Sequence, residues 1–401
     1  MASPALDSYS IVYFGNDWKA ENRTSSHHVA RRLAERLPVL YVDCPGLRPP
    51  SATTRDVGRL VRKIAEAARG PQPVGPQMWH CTLPQVPFRR LPAFRGLNRR
   101  LGPFLLRKWI RQLGWRRLIS WFVVPHPGFL AGSLGEDYVV YYCTDDYSAL
   151  PGVDRTVVAR MDEELSRRAD QIFAVSEHLL EMKRGVNPST AYAPHGVDFE
   201  LFARASDPAT PSPETAARLP RPVIGYFGVL GAWIALDLLV YLACSRPHWS
   251  FLIVGRVAVD VSDLARLPNL YFVGPQAYES LPQWARAFDV AILPYLHTEQ
   301  VLAANPLKLK EYLATGKPVV SVWTPEVERF AHYVRIARDR EEFLRQIEAA
   351  LREDTPELAR ARQAVVAGMT WEARVAECLA VVEQGLARKL AAAQFRRDSE
   401  G

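Results

Sequence analysis

A cation and a carboxylate stand three residues apart at Lys308 and Glu311, directly after the run Asn305-Pro306-Leu307. Pro306 suits the first turn of a helix, where its missing N–H leaves no hydrogen bond unmade. The other N–H groups of that turn can bind phosphate, and the helix dipole disfavours Lys308 there unless an anion binds. Glu311 shares nearly the same helix face, where a carboxylate can accept both hydroxyl groups of a ribose. The segment therefore predicts a nucleotide-binding helix; the alternative is an ordinary amphipathic helix between two strands.

A glycine-rich turn follows the apolar run at 223–227, with Gly228 and Gly231 at its two ends. Glycine has no Cβ, so backbone N–H groups at such a turn can approach a phosphate closely. The turn therefore predicts a second anion-binding segment, with a plain turn as the alternative.

Paired carboxylates, Asp145 and Asp146, follow the apolar run at 139–143. Two carboxylates in one cleft raise each other's pKa and suit acid–base catalysis. They are therefore candidate catalytic residues, with helix N-capping as the equal alternative.

Other polar residues also follow predicted strands. His126, after the run at 118–124, is a candidate for orienting an acceptor or an incidental loop histidine. Gly15 and Asn16 follow the first strand and are expected near the cleft. No metal site is predicted: His27 and His28 are adjacent, so on a helix they do not face one way.

Short apolar runs alternate with helical spacing along both halves of the chain, which predicts an α/β protein with two Rossmann-like parallel-sheet domains facing across a cleft. Ligands of such sheets bind beyond the carboxyl ends of the strands. The Pro- and Ala-rich stretch between the halves has the composition of a linker. The predicted parts are an N-terminal Rossmann-like domain at 1–203 with a basic insert at 48–117, a linker at 204–222, a C-terminal Rossmann-like domain at 223–375, and a C-terminal helix and tail at 376–401 that crosses back to the first domain.

Composition favours a globular protein: 48% of the 401 residues are hydrophobic and 23% are charged. The five cysteines are scattered and form no CxxC pair, so neither a zinc site nor a disulfide framework is indicated. A reducing compartment fits best. We find no signal-peptide pattern and no apolar run of transmembrane length, so a cytoplasmic protein is expected.

The net charge of +7 is unevenly distributed. Residues 48–117 hold 16 Lys or Arg against two acids, a local balance of +14. Aromatic residues lie among these cations, and this combination resembles an interfacial membrane helix. It suggests an anionic membrane surface, at the inner face of the membrane, as a partner. A solvated helical surface is the alternative. No nucleic-acid-binding motif accompanies the charge, so no nucleic acid is expected.

Residues 306–316 follow the pattern Pro-x-Lys-x-x-Glu-Tyr-Leu-Ala-x-Gly. This resembles the donor motif of GT-B glycosyltransferases, in particular bacterial family 4. The resemblance implies that the domain at 223–375 binds the nucleotide sugar and the domain at 1–203 binds the acceptor. It also implies that Glu311 binds the ribose and that residues 305–308 lie against the diphosphate and the donor sugar. It also implies that the turn at 225–233 faces the donor, that Gly255 and Arg256 lie near the base or phosphates, and that Tyr278 borders the nucleobase.

The chain departs from that family at two places. Many members carry a second glutamate near position 303, where this chain has Ala303, so the contact with the donor sugar is missing or is made by Glu299 or Asn305. Many members also carry Arg and Lys soon after the glycine-rich turn, where this chain has Ala235, Leu236 and Asp237. Lys308 is therefore predicted to be the main cation at the diphosphate, and the donor sugar stays open.

The expected reaction is substitution at the anomeric carbon through an oxocarbenium-like state, with no cofactor beyond the nucleotide-diphosphate sugar donor. Helix N–H groups and Lys308 would stabilise the leaving diphosphate. Retention of configuration needs no strong base, whereas inversion would use Asp145 or Asp146. The acceptor is unidentified, with a cell-surface polysaccharide, a glycolipid or a secondary metabolite as candidates. The alternatives are a non-catalytic nucleotide-sugar-binding protein and a sugar-nucleotide epimerase.

Overall fold

The computed structural model describes residues 6–20, 23–44, 69–83 and 92–400, leaving aside the side chains of residues 92–99 and of residue 400. The chain divides into two compact units. The N-terminal unit comprises Met1–Pro194 together with Arg374–Gly401, and the C-terminal unit comprises His195–Ala373. Each unit is an α/β structure built on one mostly parallel sheet, as the sequence predicted.

The sheet of the N-terminal unit has the strand order β3-β4-β2-β1-β5-β6-β7-β8. All neighbouring strands are parallel except β3 and β4, which are antiparallel. The central strands are apolar along their whole length because both faces of the sheet are covered. The strands are β1 (Ser10–Gly15), β2 (Val39–Asp43), β3 (Gln72–Gly75), β4 (Met78–Thr82), β5 (Leu118–Phe122), β6 (Tyr138–Cys143), β7 (Gln171–Ala174) and β8 (Thr190–Tyr192).

Helices of the same unit cover this sheet. They are α1 (Ser25–Ala34), α2 (Pro92–Gln112), α3 (Arg155–Arg168) and α4 (Glu177–Arg184), joined by the last helix of the chain, α14 (Trp371–Glu400), from Arg374 onward. Helix α14 packs through the buried Val382 and Leu386. Gly385 is required between them, because a Cβ there would lie 1.9 Å from the Tyr138 hydroxyl.

The sheet of the C-terminal unit is parallel, with the strand order β11-β10-β9-β12-β13-β14. One apolar cluster lies on each face of it. The strands are β9 (Val223–Phe227), β10 (Ser250–Val254), β11 (Leu270–Gly274), β12 (Val290–Leu293), β13 (Val319–Val322) and β14 (Arg335–Ala337). The helices are α5 (Phe199–Ala203), α6 (Glu214–Ala217), α7 (Leu236–Ser245), α8 (Leu281–Arg286), α9 (Glu299–Ala303), α10 (Leu307–Ala314), α11 (Pro325–Glu328), α12 (Arg340–Glu353) and α13 (Pro356–Ala367).

Residues 204–222 differ from the predicted linker. They contain a 3₁₀ turn at Arg204–Ser206 and the short helix α6, and they belong to the C-terminal unit, which begins at His195. Ala205 and Ala216 are buried in its core. Prolines and small residues gave this stretch the composition of a linker, but its apolar residues are spaced so that they pack under the sheet.

The predicted basic insert at 48–117 also differs from expectation. Met78–Thr82 forms β4, which pairs with β2 inside the sheet, so this part of the segment is a component of the fold. The polar and proline-rich surroundings of β4 concealed a strand whose Met78, Cys81 and Thr82 are buried. Residues 48–68 lie outside the described residues. Among the helices of the described residues, none combines the length and the apolar character needed to cross a membrane.

Candidate functional site

The predicted nucleotide-binding helix is α10. Pro306 is its N-cap and Gly316, just past its end, has a φ of 75°, a conformation that glycine commonly adopts where a helix ends. Lys308 donates a hydrogen bond from Nζ to Oε2 of Glu311 at 2.8 Å. The Glu311 side chain is 5% exposed, whereas that of Lys308 is 21% exposed. The carboxylate is thus largely withdrawn from water, while the cation that pairs with it stays within reach of solvent.

The end of strand β9 forms the surface beneath Lys308. Its Nζ lies 5.2 Å from the centre of the Phe227 ring, within the range of a cation–π contact. The buried Tyr312 hydroxyl accepts a hydrogen bond from the Phe227 N–H at 2.8 Å and lies 3.3 Å from the Phe227 carbonyl. One side chain of α10 therefore fixes the strand end against the helix that carries Lys308 and Glu311.

Two glycine turns meet beside Lys308. Gly228 follows β9 with a φ of 144°, and Gly255 follows β10 with a φ of 141°. A Cβ on Gly255 would lie 2.0 Å from the Gly228 carbonyl oxygen, and a Cβ on Gly228 would lie 3.1 Å from Cε of Lys308. Only glycine fits at these two positions, so backbone forms this part of the site's wall. The next residues continue the contact, because the Leu230 N–H donates to the carbonyl of Arg256 at 2.9 Å.

The remaining predicted donor residues of the C-terminal unit lie around this centre. The Tyr278 hydroxyl donates to Oε1 of Glu311 at 3.4 Å, so each carboxylate oxygen has a partner. The Arg256 side chain is exposed. Gly231 closes the turn after β9, and a Cβ there would lie 2.6 Å from the Trp233 ring. The structure therefore brings Lys308, Glu311, Gly228, Gly255 and Tyr278 together, with Gly231 and Arg256 in the adjoining turns.

Asn305 is engaged elsewhere. Its amide donates from Nδ2 to Oε2 of Glu326 at 2.8 Å, and its Oδ1 accepts a hydrogen bond from Nζ of Lys310 at 2.9 Å. Lys310 also donates to the backbone carbonyl of His195 at 2.6 Å. All these side chains are buried. We call Asn305, Lys310 and Glu326 the buried network; it fixes the segment that leads into α10.

Sequence reasoning missed Lys310 and Glu326. Lys310 is two residues from Lys308, so it points to a different side of the helix, and that offset was a readable signal. Glu326 lies beyond the next strand, and no local pattern connects it with residue 305.

In the N-terminal unit, the structure gives the paired aspartates different settings. Oδ1 of Asp146 accepts hydrogen bonds from the backbone N–H of Ser148 at 3.0 Å and from its hydroxyl at 2.7 Å. Asp146 thereby closes a turn rather than capping a helix, since the next helix, α3, has Asp154 as its N-cap. Asp145 is half-buried beside it.

His126 is buried in the segment after β5. The Tyr147 hydroxyl donates to the carbonyl of Val123 at 2.8 Å, which ties this segment to the one that follows β6. The predicted catalytic candidates His126, Asp145 and Asp146 therefore lie on two joined segments at neighbouring strand ends.

Gly15 is the last residue of strand β1, and Asn16 follows it. A Cβ on Gly15 would lie 2.2 Å from the Tyr41 hydroxyl oxygen, so glycine is required there. The same hydroxyl donates to the Asn16 carbonyl at 2.7 Å. Both residues are thus fixed by their backbone at the carboxyl edge of the sheet.

A polar cluster that sequence reasoning did not identify lies next to them. Asp43, at the end of β2, is 2.7 Å from Nε2 of His80 and accepts a hydrogen bond from the Trp18 N–H at 2.7 Å. The Trp18 ring packs 4.9 Å from that of Tyr41. His80 comes from β4, within the segment predicted as a basic insert, and no sequence signal pairs it with a residue 37 positions away. We call Trp18, Asp43 and His80 the N-terminal polar cluster.

His27 closes the loop that carries Trp18. Its Nδ1 accepts from the Thr24 N–H at 3.1 Å, which leaves Nε2–H to donate to the Asp17 carbonyl at 3.0 Å. Burial is the largest cause of the lowered pKa of His27, so the ring is neutral near pH 7. His27 therefore acts as a capping-box residue of α1. Within the described ranges, no group of three or more His, Cys, Asp or Glu side chains is placed to hold a metal ion.

Comparison with known proteins finds similarity to glycosyltransferases. Residues 221–353 match the family model described as glycosyl transferases group 1. The chain is 28% identical over 341 residues to TuaH of Bacillus subtilis (strain 168), a protein named for a glycosyltransferase role in teichuronic acid biosynthesis; the match covers 80% of this chain and 82% of that protein.

Solved structures of the same fold cover nearly all of the chain. A sucrose-phosphate synthase from Thermosynechococcus elongatus aligns with a TM-score of 0.68 at 16% identity, over 96% of this chain and 100% of that one. HepE of Anabaena in complex with UDP and glucose aligns with a TM-score of 0.63 at 16% identity, over 92% and 99%. These matches confirm the predicted class: the chain carries a glycosyltransferase domain of group 1 on a GT-B fold, and it is an enzyme of the glycosyltransferase type.

Proposed function

We propose that this enzyme transfers a sugar from a nucleoside-diphosphate sugar, bound to the C-terminal unit, to an acceptor hydroxyl. The observation that carries the proposal is the Lys308–Glu311 pair at the start of α10, walled by the Gly228 and Gly255 turns. One cation for a diphosphate and one carboxylate for a ribose stand one helical turn apart, where free helix N–H groups are also available.

In the donor complex, Lys308 and the N–H groups of α10 hold the diphosphate, and Glu311 accepts the ribose hydroxyls. Lys308 and Glu311 now satisfy each other, so binding exchanges one partner for another instead of exposing an unpaired charge. The Gly228 and Gly231 turn lies along the phosphates, Gly255 and Arg256 lie near the base or phosphates, and Tyr278 borders the base. Asn305 acts through its backbone and the buried network, since its amide is already bonded at both ends.

The reaction breaks the bond between the anomeric carbon and the diphosphate oxygen and forms a bond from that carbon to the acceptor oxygen. Lys308 and the helix N–H groups stabilise the charge that develops on the diphosphate. With retention, the departing phosphate takes the acceptor proton. With inversion, Asp145 or Asp146 is the candidate base; Oδ1 of Asp146 accepts two hydrogen bonds from Ser148, which fix its position.

We propose that the donor is a uridine nucleotide sugar. HepE of Anabaena, which is 16% identical to this chain and shares its fold, has a solved structure in complex with UDP-glucose. This similarity supports UDP-glucose as the first donor to test. For the acceptor, the similarity to TuaH supports a cell-surface polysaccharide or its lipid-linked precursor. The N-terminal unit is proposed as the acceptor side, and a cytoplasmic location, peripheral at the inner face of the membrane, stays a prediction.

Thermal unfolding of the full chain with UDP, GDP, dTDP and their glucose derivatives tests the donor site. A ligand at about 100 times its Kd stabilises the folded state by about 2.7 kcal/mol. We expect UDP or UDP-glucose to raise the melting temperature of the wild type, and Glu311→Gln to abolish that shift. Glu357→Gln, an exposed glutamate of the same unit, is the matched control and should keep it. No shift with any nucleotide, or an equal shift in Glu311→Gln, would overturn the assignment.

A further inference from the structure

Helix α2 presents a row of cations on its outer side. Arg100, Phe104, Arg107, Lys108 and Arg111 are all exposed. At 100° per residue these five positions fall within about 100° of arc on one side of the helix. We call these residues the α2 cationic face.

The opposite side of the helix is fixed to the N-terminal unit. Leu106, Trp109 and Ile110 are buried. A Cβ on Gly102 would lie 3.3 Å from the Leu130 side chain, which shows how closely the helix packs there. The cationic face is therefore held outward by packing, and helix rotation cannot bury it.

The sequence contains no acid between residues 67 and 135, so no acid of helix α2 itself offsets this charge. None of the four cations forms an ion pair with another residue that the structure describes. Instead, Nε of Arg107 donates to the Ser133 carbonyl at 2.8 Å, and Nε of Arg111 donates to the Arg107 carbonyl at 3.1 Å. These bonds hold two guanidinium groups in place without neutralising them, so the face is suited to an external anion.

A surface pocket of about 400 Å³ opens on this face and is large enough for a phosphate headgroup. It is lined by Arg100, Pro103, Phe104, Arg107, Arg111 and Ser133. Guanidinium groups bind phosphate through paired hydrogen bonds. Phe104 stands at its rim with 61% of its surface exposed, which is unusual for a phenylalanine.

We propose that the α2 cationic face docks on a membrane containing anionic phospholipid. The arginines and Lys108 bind lipid phosphates, and Phe104 enters the boundary between headgroups and acyl chains. An outward apolar ring among cations on one helix is the arrangement of an interfacial membrane helix, whereas a polyanion without an apolar layer would leave Phe104 without a partner. The proposal does not depend on the donor site, because the face lies in the N-terminal unit.

Vesicle flotation of the full chain tests the charge. We compare phosphatidylcholine vesicles with vesicles that also contain phosphatidylglycerol, at low and at high salt. The wild type should float only with phosphatidylglycerol, and high salt should release it. Each cation near an anionic surface contributes about fivefold in affinity. Arg100→Gln/Lys108→Gln/Arg111→Gln should therefore weaken binding about 100-fold.

The matched control removes the same net charge elsewhere. Arg266, Arg352 and Arg360 are exposed residues of the C-terminal unit, and their triple change to Gln should leave flotation unchanged. A wild type that stays in solution with phosphatidylglycerol at low salt would overturn the proposal, as would an equal loss in both triple variants. Tighter binding to double-stranded DNA than to the anionic vesicles would also overturn it.

The apolar part of the proposal has its own test. Phe104→Ser should weaken binding to phosphatidylglycerol vesicles by about tenfold, since burial of the ring is lost. Phe395→Ser, in the exposed end of α14, is the matched control and should bind as the wild type does. Since both substitutions are at the surface, melting temperatures should match the wild type. If Phe104→Ser bound phosphatidylglycerol vesicles as tightly as the wild type, the proposal that the Phe104 ring enters the membrane would be wrong.

Discussion

The proposed donor site of the C-terminal unit and the N-terminal polar cluster both lie at the carboxyl ends of parallel strands, yet their polar groups are used differently. Lys308 is accessible, and both it and Glu311 come from one helix. Asp43 and His80 come from separate strands, are each less than 10% exposed, and Asp43 also accepts a hydrogen bond from the Trp18 N–H of a third segment.

The difference separates a pair that can change partners from groups that fix the backbone. Charges near water can exchange one partner for another at small cost, whereas removing a partner from a buried charge is expensive. The C-terminal unit contains both kinds, because Lys310 of the buried network is on the same helix as Lys308 and Glu311 of the proposed donor site. We therefore expect substitutions to divide into those that lower stability and those that lower turnover.

Removal of Lys310 should give the largest effect on stability. Lys310→Met removes the charged donor to Oδ1 of Asn305 and to the His195 carbonyl, and so leaves two buried acceptors without it. We expect the free energy of unfolding to fall by about 3–5 kcal/mol, measured by urea denaturation. Lys389→Met, which breaks an exposed ion pair with Asp170, should cost less than about 1 kcal/mol. Equal losses in the two variants would contradict a structural role for the buried network.

Lys308→Gln should act on turnover instead. Loss of the cation at the diphosphate should lower kcat/KM for release of the nucleoside diphosphate about 100-fold, which corresponds to about 2.7 kcal/mol in the transition state. Steady-state kinetics with UDP-glucose measure it, and urea denaturation shows whether stability is retained. An unchanged kcat/KM would contradict the expectation that Lys308 acts on turnover while Lys310 acts on stability.

Asp43→Ala tests whether the N-terminal polar cluster acts on stability and not on nucleotide binding. It removes the acceptor of the Trp18 N–H and the partner of His80, so the free energy of unfolding should fall by about 2–3 kcal/mol. The Kd of UDP, which we assign to the C-terminal unit, should not change. Asp17→Ala, an exposed carboxylate of the same loop, should change stability by less than about 0.5 kcal/mol. A large loss of UDP affinity in Asp43→Ala would contradict a purely structural role for the N-terminal polar cluster.

The smallest effect concerns the pH dependence of stability. The pKa of His27 is lowered in the folded state, chiefly by burial, so below about pH 6.5 the unfolded chain takes up a proton that the folded chain does not. As the pH is lowered, stability should therefore decrease more steeply in the wild type than in His27→Gln. Glutamine keeps the capping box but does not titrate. Melting temperatures between pH 7.5 and 5.5 measure the slope, and the exposed His178→Gln should retain the wild-type slope.

The sequence by itself determined the α/β class, the two parallel sheets and the helix that carries Lys308 and Glu311. These features depend on local patterns: apolar runs of strand length, a proline and a glycine at the two ends of α10, and a spacing of one helical turn. Such patterns can be read because secondary structure relates residues only a few positions apart.

Tertiary structure alone decided which polar groups belong together and how each is used. Lys310 has the same charge as Lys308 but lies in the buried network, and Asp43 meets His80 across strands that are 37 residues apart. Tertiary structure also placed β4 inside the sheet and packed residues from 204–222 into the core of the C-terminal unit. The physical reason is that burial and hydrogen bonding between distant segments depend on the packing of whole elements, which local composition does not encode.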